Sequence, residues 1–141
     1  MSACVDTSFL VSSYITDAHS PLVDQRIVPG LSFWITPFNH AELANAIYQQ
    51  IFLRRLTIVE AQKAWEDFQH DYVSGLWTPI EFPRGAWDKC VGLARRYGPT
   101  LGVRTLDLLH VACALELQCS EFWTFDQRQA RLARTVGLKL P

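Results

Sequence analysis

The chain has 141 residues, 49% hydrophobic and 19% charged, with a formal net charge of −1. This is one globular domain, long enough to bury about two-thirds of its unfolded surface. A disordered or fibrous chain and the strongly basic class of nucleic-acid binder are excluded, although local basic patches are not.

Met-Ser-Ala-Cys-Val-Asp6 lacks a basic n-region and soon meets a carboxylate, so no signal peptide is expected. No apolar run approaches the ~20 residues of a membrane span, and the expected compartment is the cytoplasm. Cys4, Cys90, Cys113 and Cys119 include no Cys-x-x-Cys pair and lie in apolar stretches. They are expected as buried free thiols rather than disulfides or zinc ligands.

In chain order, Ala3-Cys-Val-Asp6 reads as a short buried strand ending in an acid, with Thr7-Ser8 opening a helix. Residues 20–29 predict a second short helix closed by Pro29-Gly30, and Leu31 to Thr36 a strand. A helix follows from Pro37, with Asn39 read as its N-cap and Glu42 as the partner in a capping box. Thr57 to Val73 is amphipathic, carrying Ile58, Ala61, Trp65, Phe68 and Tyr72 at helical spacing. Leu76 to Phe82 is strand-like, and Pro79 demotes it to an edge or an extended connection. Pro83 to Tyr97 predicts a helix with Trp87, Val91 and Ala94 inward, ended by Gly98-Pro99.

The run from Arg104 to Leu117 is the most apolar helix, with Leu106, Leu109, His110, Cys113, Ala114 and Leu117 in its buried stripe and Thr105 as N-cap. Asp107 falls in its first turn, where an anion suits the dipole. His110-x-x-Cys113 reads as core packing rather than a metal pair. Glu121 to Asp126 is a strand ending in another acid. A helix from Gln127 to Val136 follows, capped by Gly137, and Leu138 to Leu140 could add a last short strand.

Strands alternating with helices predict a three-layer α/β/α domain spanning 1–141, its central sheet mostly parallel and twisted. No Gly-rich phosphate loop is present. In such a sheet ligands collect beyond the carboxyl ends of the strands, and Asp6, Glu42, Asp107 and Asp126 all map to that edge. Each has a sufficient structural explanation as a cap or first-turn acid. Together they pose a problem, since two carboxylates ~4 Å apart repel by roughly 4 kcal/mol at an effective dielectric of ~20. An all-oxygen set of this kind suits Mg²⁺ or Mn²⁺.

Val5-Asp6-Thr7-Ser8, Asn39-His-Ala-Glu42-Leu, the block from Arg104 to Ala112 and Trp123-Thr-Phe-Asp126 resemble, in order and spacing, the four motifs of PIN-domain proteins, particularly the VapC-type toxin ribonucleases. The resemblance implies a metal-dependent endoribonuclease whose acidic quartet is Asp6, Glu42, Asp107 and Asp126. It also implies Thr7, Ser8 or Thr124 as accessory hydroxyls near metal or phosphate, a homodimer, and inhibition by a small antitoxin. RNA contacts are expected from Arg104, Arg128, Arg131 and Arg134, against the plainer reading of a solvated helix face. Exposed members of the Trp set could stack bases, but most are expected in the core. The rivals are a non-catalytic RNA-binding or scaffolding protein of the same fold, and a phosphatase with Asp6 as nucleophile. The latter is disfavoured because no second acid follows two residues on.

Overall fold

A computed structural model describes residues 1–141. Four parallel strands, β1 (Ser2–Val5), β2 (Ser32–Ile35), β3 (Trp77–Pro79) and β4 (Glu121–Trp123), form one sheet in the order β3-β2-β1-β4. Seven helices surround it: α1 (Thr7–Tyr14), α2 (Ser20–Arg26), α3 (Pro37–Phe52), α4 (Ile58–Ser74), α5 (Gly85–Leu101), α6 (Thr105–Glu116) and α7 (Gln127–Thr135).

Alternation along the strands divides the core in two. Ala3, Val5, Phe33, Ile35 and Trp123 pack with Phe9, Leu10, Leu43, Ile47 and Phe68 on one face. Cys4 and Phe122 pack on the other with Leu108, Leu109, Val111 and Leu132. The three-layer α/β/α architecture follows directly from this period of two in a sheet covered on both sides. Pro79 lies in the edge strand, where its missing N–H costs no ladder bond.

The chain winds outward from β1 to β2 and β3, then crosses to the opposite side of β1 for β4. This reversal opens a crevice between the carboxyl ends of β1 and β4. Val5 pairs with Trp123, and the Asp6 amide donates to the Trp123 carbonyl at 3.0 Å, so Asp6 and Thr124 emerge side by side into it.

Several local expectations are corrected. The α5 helix runs through Pro99 and stops at Gly102, whose φ of +59° suits glycine. Its buried face is Ala86, Cys90 and Leu93, while Trp87 and Val91 are exposed. Packing against α6 sets that face, and the apolar spacing admitted either choice. In α6, Arg104 rather than Thr105 is the N-cap, and Leu106 is 40% exposed. Leu138 to Leu140 forms no strand, contributing a single bond from the Phe122 amide to the Lys139 carbonyl. Cys4 and Cys119 form a disulfide, with Cα atoms 6.0 Å apart, while Cys90 and Cys113 are free. Pairing β1 with β4 brings Cys4 and Cys119 together across 115 residues, a proximity no local pattern encodes. Burial pushes the Cys113 thiol up to about 12.

The N-cap of α3 is Thr36, and Asn39 is the reciprocal partner of its capping box. Asn39, 1% exposed, accepts from the Thr36 amide and hydroxyl and donates to the Val5 carbonyl at 3.0 Å. It thereby ties the start of α3 to the end of β1, one residue before Asp6. Asn39→Ala is expected to orphan a buried carbonyl and the cap together, lowering stability by about 2 kcal/mol in urea melts. An unchanged midpoint would contradict that role.

Candidate active site

Because Thr36 and Asn39 complete the box, Glu42 is released from capping. Its Oε1 accepts from Thr7 Oγ1 at 2.9 Å and from His110 Nε2 at 2.5 Å. Burial alone would raise the Glu42 carboxyl. The His110 hydrogen bond and charge, with Thr7 and Arg104, outweigh burial and hold it below its ordinary value. The sequence predicts His110 as plain core, and its side chain is 4% exposed. However, it lies one turn after Asp107 on α6, which aims its ring nitrogen at the acids. The only sequence signal was that spacing of three.

Asp6 is the buried member, 3% exposed. Its Oδ1 accepts from Ser8 Oγ at 2.6 Å and from the Phe9 amide at 3.2 Å, capping α1. Its Oδ2 accepts from Thr124 Oγ1 at 2.8 Å. Burial raises its pKa despite these donors and the nearby His110. Ser8 also accepts from the Phe125 amide at 2.9 Å, stitching the two loops of the crevice together.

Asp126 caps α7 through the Gln129 amide at 2.8 Å. The fully buried Gln129, absent from the expected set, reaches both sides of the site. Its Oε1 lies 2.9 Å from Thr124 Oγ1, and its Nε2 donates to the Asp107 carbonyl at 3.2 Å. Asp107 is paired with Arg104 Nε at 3.0 Å. Asp107 and Asp126 share an open cavity of about 350 Å³ with Arg104, Gln127 and Arg128, and no apolar residue lines it.

The four expected acids therefore stand on one edge in two linked pairs. Asp6 and Glu42 are joined through the consecutive residues Asp6 and Thr7 of the α1 start. Asp107 and Asp126 are joined through their cavity, and the Thr124–Gln129 contact connects the pairs. No three His, Cys, Asp or Glu side chains form a ready-made metal cage. The donor chemistry nevertheless fits a hard divalent cation. Glu42 Oε2, Asp107 Oδ1 and Asp126 Oδ2 take no protein hydrogen bond, and no sulfur competes at the site.

Arg104 and Arg128 line the acidic cavity, Arg134 lines a separate one, and Arg131 is simply exposed. Arg128, Arg131 and Arg134 form no ion pair, and only Arg104 has an acidic partner. An apolar cavity of about 450 Å³, lined by residues such as Ile35, Tyr72 and Ile80, contains none of the four acids.

The model of the PIN domain family matches residues 3–135. The chain belongs to the PIN domain family. This PIN domain has the fold of VapBC2 from Rickettsia felis, solved bound to a DNA fragment from its promoter. That match has a TM-score of 0.69 and 16% identity, covering 100% of this chain and 98% of that one. FitAcB from Neisseria gonorrhoeae matches with a TM-score of 0.69 at 14% identity, over 98% of this chain and 95% of that one. The sarcin–ricin loop cleaving toxin VapC20 from Mycobacterium tuberculosis matches with a TM-score of 0.68 at 14% identity, over 96% and 95%. No curated protein matches it by sequence. No helix is long and apolar enough to cross a membrane.

Proposed function

We propose that this PIN domain is a Mg²⁺- or Mn²⁺-dependent endoribonuclease that hydrolyses RNA phosphodiester bonds, acting in the cytoplasm as the toxin of a type II toxin–antitoxin pair. The observation that carries this reading is the open, wholly polar cavity that Asp107 and Asp126 share at the edge of the sheet where Asp6 and Glu42 also lie. When bound, a divalent ion would activate water and neutralise charge on the phosphate.

The chain's own residues do the rest. Asp6, Glu42, Asp107 and Asp126 would together hold the ion, the last three with carboxylate oxygens that take no protein hydrogen bond and Asp6 as the buried carboxylate of the inner wall. Thr7 and His110 orient Glu42. Ser8 and Thr124 hold Asp6 and the β4 loop in place, with their hydroxyls close to where ion or phosphate would lie. Arg104, whose side chain is 76% exposed, is free to turn from Asp107 towards a phosphate oxygen. Arg128, Arg131 and Arg134 present unpaired guanidinium groups along α7 for the RNA backbone. No nucleophilic side chain is required. Similarity in fold to VapBC2 and to a toxin–antitoxin complex from Klebsiella pneumoniae supports a small protein antitoxin as partner, and the proposed working form is a homodimer.

Purified protein incubated with a panel of single-stranded and structured RNAs is expected to cut only with Mg²⁺ or Mn²⁺, and Asp107→Asn is expected not to cut. Cleavage that persists in excess EDTA or in Asp107→Asn would refute the assignment. Occupation of Asp107 by Arg104 and of Glu42 by His110 favours a second reading, a non-catalytic RNA-binding PIN protein. RNA binding without cleavage in any divalent ion would select it.

A further inference from the structure

Of the five tryptophans, Trp77 and Trp123 are buried, Trp34 and Trp65 are partly buried, and Trp87 alone faces solvent, 52% exposed. Its ring is held in place by two others. Phe82 meets it at a centroid distance of 5.1 Å and Phe38 at 6.0 Å, and the two phenyl rings meet edge-on at 4.9 Å. Phe38 and Phe82 are themselves packed against the core on the α5–α7 face, so they fix the shelf from beneath.

The shelf lies beside the acids. Phe38 precedes Glu42 by four residues on α3, which places their Cβ atoms ~5–6 Å apart on one helix face. The shelf therefore begins one helical turn before Glu42. Arg84, exposed and unpaired, stands at the N-cap of α5 three residues before Trp87. Asp88 is exposed beside it, and Lys89 is already engaged by Glu116 at 3.4 Å.

The geometry points to a base-stacking subsite: an unpaired nucleobase adjoining the scissile phosphodiester stacks on Trp87, and Arg84 meets its backbone. This inference rests on the ribonuclease reading above and adds to it a base contact at Trp87. Any base has a π-face, so the shelf tolerates sequence, whereas a duplex keeps its bases in their own stack. Rigid support by Phe38 and Phe82 means little side-chain freedom is lost on binding.

Binding is measured in the Asp107→Asn background, where RNA is held but not cut, by anisotropy of a short labelled single-stranded RNA with Mn²⁺ present. Adding Trp87→Ala is expected to raise Kd about tenfold. Trp87→Phe should restore most of the affinity, affinity for a duplex of equal length should not change, and Trp87→Ala should still melt cooperatively, with Tm lowered only by the loss of the packed half of the indole. If Trp87→Ala binds single strands as tightly as its parent while the wild type cleaves RNA, the shelf inference fails and the ribonuclease reading survives. If the wild-type protein neither binds nor cuts RNA, both fall. Should Trp87→Ala keep RNA affinity but shift the free protein to a smaller species in size-exclusion chromatography, the shelf is a self-association face and the inference is overturned.

Discussion

Asp6→Asn is expected to abolish RNA cleavage and, in EDTA at neutral pH, to raise the melting temperature. A carboxylate 3% exposed has lost most of its hydration, and burial accordingly pushes its pKa above the ordinary 3.8. The neighbouring protons are also one short. Thr124 has a single hydroxyl proton facing two acceptors, Asp6 Oδ2 at 2.8 Å and Gln129 Oε1 at 2.9 Å. An ionised Asp6 takes that proton and leaves a buried amide oxygen unsatisfied.

In the variant, one Asn amide N–H donates to Thr124, Thr124 donates to Gln129, and the Asn carbonyl oxygen keeps the Ser8 and Phe9 donors; the second N–H gains no protein partner, which offsets part of the gain from removing a buried charge. Relieving one buried conflict contributes about 1–2 kcal/mol, or roughly 3–6 °C for a chain of this size. The pH dependence has a definite sign. A carboxyl raised in the fold contributes stability that is full below 3.8 and is lost as pH rises through the higher native value. Wild-type melts in EDTA should therefore lose this contribution across that window, and Asp6→Asn melts should not. A variant that melts below wild type at neutral pH, or that still cuts RNA, would contradict this account.

Mn²⁺ is expected to raise the melting temperature of the wild type and to leave Asp107→Asn almost unmoved. At a hundredfold excess over Kd, binding to the folded state alone contributes about 2.7 kcal/mol. The cation must displace Arg104 from Asp107, but that pair joins side chains 76% and 14% exposed, and surface pairs of this kind contribute little. Glu42 adds a second pH window. Its carboxyl is held below 4.5, so its stabilising contribution is present above that value and lost as pH falls through the lower native one. The Mn²⁺ shift should therefore persist through the neutral range and fade in acid. Equal shifts in wild type and Asp107→Asn, or none in either, would remove the metal from the proposal.

Much of the scaffold was legible as local chemistry. Asp6 and Asp126 each follow an apolar strand and precede a helix, and both cap those helices as such placement implies. Pro79 announced the edge strand, and alternation of strand and helix announced a parallel sheet between two helical layers. Signals of this sort arise from backbone sterics, hydrogen-bond supply and side-chain period within a few residues, so a chain displays them before it folds.

What the tertiary structure alone decided lies across long separations. The Thr124–Asp6 bond spans 118 residues and the His110–Glu42 bond 68, and both depend on which strand neighbours which, an order not written in any local pattern. The same holds for Cys4 with Cys119, and for the choice of Ala86, Cys90 and Leu93 over Trp87 as the buried face of α5. An amphipathic spacing with two usable faces is resolved only by the surface it meets, here α6, whose packing leaves Trp87 in solvent. The local placement of each acid at a strand end or in a helical first turn was thus determined by sequence, whereas the bond that joins Thr124 to Asp6 came from β4 lying on the far side of β1.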